Sequence, residues 1–94
     1  MYYVYFLLLI NGDIYKGSCS DLKIRIKEHK LGKVKSTKNY LPFEIVGYES
    51  YLLKSDAQRR ERFLKTTEGK KLLRRQYRDI LIKLEKSRKG GRVV

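Results

Sequence analysis

"YYVYFLLLINGDIYKG", residues 2–17, decides the fold. From Tyr2 to Ile10 the side chains are aromatic, β-branched or aliphatic at even and odd positions alike. Strict alternation marks a strand with one wet face, whereas apolar side chains on both parities mark a strand covered on both faces. A helix is the rival reading of an apolar run. Here Asn11-Gly12 stops the run abruptly, and that dipeptide favours a hairpin turn. "DIYKG" then returns as a second short strand.

Further along, Ser20-Asp21 offers a helix N-cap, and Leu22 to Lys30 has helical character ended by Gly32. Residues Lys33 to Leu41 are polar and basic without period and read as a loop. Pro42 cannot donate to a ladder and marks the start of a third strand, roughly Phe43 to Leu52. Ser55-Asp56 is the expected cap of a second helix through about Lys65, and "TTEG" (66–69) makes a break. Leu72, Leu73, Tyr77, Ile80, Leu81 and Leu84 recur at helical spacing and predict one long amphipathic helix. The expected fold is α+β, a small, mainly antiparallel three-stranded sheet flanked by helices in the order β-β-α-β-α-α. Residues 1–86 form the expected domain, and the basic stretch 87–94 a flexible tail.

The chain has 94 residues, enough for a single core. Its formal net charge is +13, with 23 Lys and Arg against 10 Asp and Glu spread along the length. Such a field favours a polyanion, most often nucleic acid, bound through its phosphates. A membrane surface is the rival, but no basic helix carries the aromatic face of an interfacial anchor. The longest apolar run is too short to span a bilayer. Cys19 is the sole cysteine, so no disulfide framework or cysteine zinc cluster exists, which fits a reducing cytoplasm. No membrane partner is expected.

The chemistry-bearing residues are few. Cys19 and His29 offer no orienting third group for a thiol enzyme, and the glycines lack P-loop spacing. Phosphodiester hydrolysis needs a cation at the phosphate, a carboxylate for a metal and a base for the attacking water. Arg25 sits four residues before His29, so both project from one face of the first helix. Glu61, among Arg59, Arg60 and Arg62, reads either as a charge-balancing surface residue or as a metal ligand.

At this point the chain resembles the GIY-YIG nuclease family, specifically its small stand-alone single-domain members. The first motif element stands as "VYF" around Tyr5 and the second as "YKG", Tyr15 to Gly17. The two tyrosines are ten residues apart and Arg25 follows Tyr15 by ten, as in the family. "SDLKIRIKEH", "GKVKSTKNYLPFEIVGYES" and "DAQRRERFLK" look like the segments that follow, so the likeness covers residues 2 to about 75. It implies an endonuclease that hydrolyses DNA with one divalent cation, Mg²⁺ or Mn²⁺, in repair, recombination or DNA processing. Arg25 would face the scissile phosphate, Glu61 would hold the metal and Tyr15 would sit near the attacking water, with Tyr5 and His29 in support. Lys16 and Gly17 are expected to contact nucleic acid, as are Lys33, Lys35 and Lys38, which suit phosphate tracking rather than base readout. A protein partner would then supply specificity, and the expected form is a monomer or weak dimer. The alternative is a non-catalytic nucleic-acid binder that keeps the fold.

Three positions depart from the family pattern. Lys16 stands where an apolar residue is usual, and Ser18 where the repair branch is often basic. No counterpart exists for the asparagine near the domain's end, since Asn39 comes too early. Strand parity adds an independent condition. A two-residue Asn-Gly turn would pair Leu8 with Tyr15 and send Tyr5 and Tyr15 to opposite faces. A shared site requires an odd-length turn, such as three residues with a glycine bulge.

Overall fold

The computed structural model describes residues 1–93, with side chains described through Arg88. Strand β1 (Tyr2–Leu8) lies between β2 (Ile14–Cys19) and β3 (Glu44–Tyr51), antiparallel to both. Its position explains its composition. Val4, Phe6 and Leu8 face one side, where Ala57 and Leu64 of α2 (Lys54–Leu64), Leu73 of α3 (Thr67–Gln76) and Leu81 of α4 (Arg78–Val93) cover them. Tyr5, Leu7 and Leu9 face the other, under Leu22 and Ile26 of α1 (Leu22–Lys30) and Phe43. A helix layer on each face leaves β1 from Val4 onward no wet side, and those side chains are fully buried or nearly so.

The hairpin turn meets the parity condition. Leu8 pairs with Ile14, and the Leu9 N–H donates to the Asp13 carbonyl at 2.8 Å, leaving the three residues Ile10 to Gly12 as the loop. Gly12 has φ +91°, which its missing Cβ permits, and the Asp13 N–H donates to Asn11 Oδ1 at 3.0 Å. Tyr5 therefore opposes Gly17 and Leu7 opposes Tyr15, so both tyrosines project to the α1 face.

Several local expectations hold and four shift. Asp21 caps α1, its carboxylate accepting from the Ile24 N–H at 3.1 Å, and Gly32 follows the last turn with φ +72°. The expected cap Ser55-Asp56 instead lies inside the first turn of α2, which starts at Lys54 after an extended Leu53. Asp56 suits that position by charge and pairs with Arg59 at 2.8 Å. The "TTEG" break is a cap: Thr66 Oγ1 accepts from the Gly69 N–H at 3.1 Å and α3 begins at once. The single long helix divides at Tyr77, whose φ of −110° and ψ of 24° leave the helical region. Its ring packs on Phe6 at 5.2 Å and its hydroxyl donates to Glu49 at 3.2 Å, so tertiary anchoring overrides the unbroken apolar period. Finally, α4 runs on through 87–93 where a tail is expected. Arg88 ties it back, donating to the Leu8 and Leu9 carbonyls at 3.0 Å each. Val94 lies outside the described residues.

A buried polar chain joins α1 to the sheet. His29, fully buried, meets the Tyr5 hydroxyl at 2.8 Å through Nε2 and the Thr37 hydroxyl at 2.7 Å through Nδ1. Each ring nitrogen has one partner, the pattern of a neutral imidazole with one donor and one acceptor. Burial, reinforced by the nearby Arg25 charge, pushes the His29 pKa down to about 4. Below pH 6.5 the unfolded chain protonates this side chain and the folded chain does not until near pH 4. This contribution is thus complete above about pH 6.5 and is lost as pH falls, amounting to ~3 kcal/mol by pH 4. Urea midpoints measured from pH 7 to pH 4 should fall across that window in the wild type and fall distinctly less in His29→Gln. Equal slopes in the two proteins would show that His29 does not drive the dependence.

Gly69 allows no side chain, because a Cβ there would stand 2.7 Å from the Leu64 Cα, in backbone that cannot yield. Gly69→Ala should lower stability by about 1–3 kcal/mol in denaturant unfolding despite alanine's better helix propensity. An unchanged or raised midpoint would show that α2 and α3 can separate at no cost.

Candidate functional site

Three elements converge on the α1 face of β2. The hairpin register places Tyr15 two residues from Gly17 on that face. Gly17 is a necessity of packing, since a Cβ there would lie 2.6 Å from Cζ of the Tyr5 ring. The Tyr5 ring thus lies over a strand with no side chain beneath it. The Tyr15 ring stands edge-on to His29 at 5.2 Å between centroids and 6.1 Å from Tyr5. Arg25, one helical turn before His29, points its guanidinium toward the Tyr5 hydroxyl and pairs with Glu28 at 3.1 Å. The structure therefore brings Tyr5, Tyr15, Arg25 and His29 together.

They are not equivalent. Tyr5 is 1% exposed, and burial raises its pKa far above the ordinary phenol value in spite of the Arg25 charge beside it. Its hydroxyl stays protonated and out of reach of solvent. His29, which by sequence reads equally as an exposed helix residue or a site member, is inside, with both nitrogens engaged. Tyr15 is only partly buried and is the tyrosine of the pair whose ring borders solvent. Arg25 keeps 37% of its side chain exposed. Its pKa is raised by hydrogen bonding to Tyr5 and then to Glu28, so it is a permanent cation. An exposed Arg–Glu pair is worth ~0–1 kcal/mol, so Glu28 holds the guanidinium only weakly.

Glu61 reaches the same strand from the other face. On α2 it accepts from the Ser18 hydroxyl at 2.5 Å through Oε1 and from Lys65 Nζ at 2.7 Å through Oε2. Burial works against ionisation, but Lys65 and Ser18 outweigh it and hold the carboxyl below its usual range. Ser18 follows Gly17 directly, so the carboxylate and the tyrosine pair flank one stretch of an edge strand, from opposite sides. Glu61 and Ser18 present hard oxygen donors. Oxygen donors are the type that hard divalent cations take, and Glu61 is the single carboxylate here: among the described residues no group of three or more His, Cys, Asp or Glu gathers. Glu49, the other part-buried carboxylate nearby in sequence to α2, is committed to Arg60 at 3.0 Å and to the hydroxyls of Tyr51 and Tyr77.

Lys33, Lys35 and Lys38 are exposed on the loop after α1, which buried Val34 and Thr37 pin beside His29. Lys16 is the exception, buried on the opposite face. Three partners escaped the sequence reading. Lys65 had a signal, its i,i+4 spacing from Glu61. Ser18 was visible only as a departure from a basic residue, and Thr37 had no local signal, since eight residues of loop and helix separate it from His29.

No helix among the described residues is long and apolar enough to cross a membrane. The sequence model of the GIY-YIG catalytic domain matches residues 1–77. A UPF0213 protein of Staphylococcus epidermidis is 38% identical over 66 residues, covering 69% of this chain and 80% of that protein. One from Staphylococcus aureus is 35% identical over 74 residues, covering 78% and 90%. The solution NMR structure of a UPF0213 protein from Bacillus halodurans superposes with a TM-score of 0.51 at 35% identity, covering 78% of this chain and 82% of that one. With its hairpin register, its tyrosine pair and a match over residues 1–77, this chain belongs to the GIY-YIG catalytic domain family.

Proposed function

We propose that the protein is a divalent-metal-dependent endonuclease that hydrolyses DNA phosphodiester bonds during repair, recombination or DNA processing in the cytoplasm. The observation that carries this reading is the convergence on β2 of a solvent-bordering tyrosine, a displaceable arginine and an ionised carboxylate. Arg25 grips two oxygens of the scissile phosphate and spreads the charge that develops there. Tyr15 Oη orients the attacking water and relays its proton to solvent, releasing its own proton as it takes the other. Tyr5 is too deeply buried for that part, and His29 has no free nitrogen for it. Both act by holding Tyr15 and α1 in place. Glu61, released from Lys65, would hold the cation, whose charge would offset that of the phosphate. Lys33, Lys35 and Lys38 track the flanking backbone, and a partner protein or the shape of the DNA supplies selectivity.

A second reading has one observation in its favour: both Glu61 oxygens are already bonded, so a carboxylate kept by Lys65 would leave a domain that binds nucleic acid without cutting it.

Cleavage of branched, nicked and single-stranded DNA in Mg²⁺ or Mn²⁺ separates the two. Arg25→Ala and Glu61→Ala should each reduce the cleavage rate by about 10²–10³-fold. Arg25→Lys should recover little, for want of the planar fork. Salt-sensitive binding with no cut at high protein concentration, in wild type as in variants, would instead establish the binder.

Tyr15→Phe should abolish most cleavage while thermal unfolding and DNA affinity stay at wild-type values. Retained cleavage in that variant would remove Tyr15 from the water.

A further inference from the structure

Lys16 interrupts a buried surface. β2 turns it to the helix face, opposite Phe6 of β1 and between Ile14 and Ser18, and only 9% of it is exposed. An apolar side chain would fit this place without a desolvated charge. Around Lys16 stand Ile14 and Leu73, then Lys70 and Arg74, one turn apart on α3, with Asp13 at the hairpin as the acidic member. Among the described residues Lys16 has no hydrogen-bond or ion-pair partner, and Asp13 is engaged by Asn11. Arg74 donates to the Gly12 carbonyl at 3.1 Å, which fixes its guanidinium against the hairpin. Burial and then the charges of Lys70 and Arg74 lower the proton affinity of Lys16. Without an anion the cluster opposes folding, because three cations share one cleft. Snorkelling brings the Lys16 ammonium to the mouth of the cleft, and there Lys70 and Arg74 stand around it.

We propose that Lys16, Lys70 and Arg74 form a phosphate pocket at the β2–α3 junction that takes a backbone phosphate of the nucleic acid other than the scissile one. Two ammonium groups and a guanidinium suit the two non-bridging oxygens of a phosphodiester, and the arginine, held by the Gly12 carbonyl, adds a planar fork. The pocket opens on the face that carries Glu61, and Lys65 links the two, paired with Glu61 and close enough to act on Lys16. Nucleic acid gripped here would pass the β2 edge with Tyr15 and Arg25 on one side and the pocket on the other. The nucleic-acid part of this inference rests on the nuclease reading, whereas the anion pocket itself does not.

Amide NMR with inorganic phosphate, against chloride at equal ionic strength, tests the pocket without any cleavage. Saturable shifts are expected at residues 14–18 and 70–74. Phosphate at ten times its dissociation constant should raise Tm by about 5–10 °C over chloride. Lys16→Met should melt higher than wild type in chloride and lose the phosphate response. The double substitution of exposed residues Lys70→Gln and Arg74→Gln should lose it too, with an unchanged amide spectrum elsewhere showing that the hairpin stays folded without the Arg74–Gly12 bond. Equal shifts in phosphate and chloride, or a response kept by Lys16→Met, would overturn the pocket. For the backbone assignment, the salt dependence of duplex binding should lose about one unit of log–log slope in Lys16→Met. A full slope in a variant that no longer senses inorganic phosphate would overturn the backbone assignment. A wild type that binds phosphate here yet never cuts DNA would remove the nuclease reading and leave the pocket standing.

Discussion

Everything in the site depends on the parity of one hairpin. A strand turns successive side chains to opposite faces, so a single residue added to or removed from the Asn11-Gly12 turn would carry Tyr15 away from Tyr5. The three-residue loop sets them on one face, and Gly12 makes it possible by adopting a positive φ. Once that register is set, Gly17 falls opposite Tyr5 and leaves room for its ring. The consequences run outward from there. Tyr5 reaches His29, His29 reaches Thr37, and the loop carrying the lysines is tied to the helix that carries Arg25.

Burial then assigns different work to residues of the same type. Tyr5 and Tyr15 are both strand tyrosines ten positions apart, but one is closed into the core and the other borders solvent. The inner one is locked neutral and serves as a strut. His29 is likewise held neutral, by burial first and by Arg25 second. A protonated imidazole there would place two cations against each other in a dry interior.

The two faces of β2 divide the electrostatics. On the α1 face the charge is Arg25, paired with Glu28, beside phenols. On the helix face it is an ionised Glu61, held by Ser18 and Lys65, next to the cationic group around Lys16. An edge strand can be approached from both sides at once, which a central strand cannot, since its hydrogen-bonding edges are both paired. The order β2-β1-β3 therefore serves the site directly: the most apolar strand is central and the strand with the chemistry is on the rim.

Much of this was legible in the residues. The unbroken apolar run of β1 required cover on both faces, and the polar signals around it gave a sheet flanked by helices. The spacing of Tyr5, Tyr15 and Arg25 singled out the tyrosine side of the site, because strand and helix periods are local and short-range. What the sequence could not supply was anything that depended on contact across the fold. Thr37 as the second partner of His29, Ser18 as the partner of Glu61, the helix division at Tyr77 and the tether of Arg88 all arise from residues far apart in the chain. Lys16 shows the limit most plainly. As a letter it is one of 23 basic residues. Only the tertiary structure sets its stem inside, beside Lys70 and Arg74.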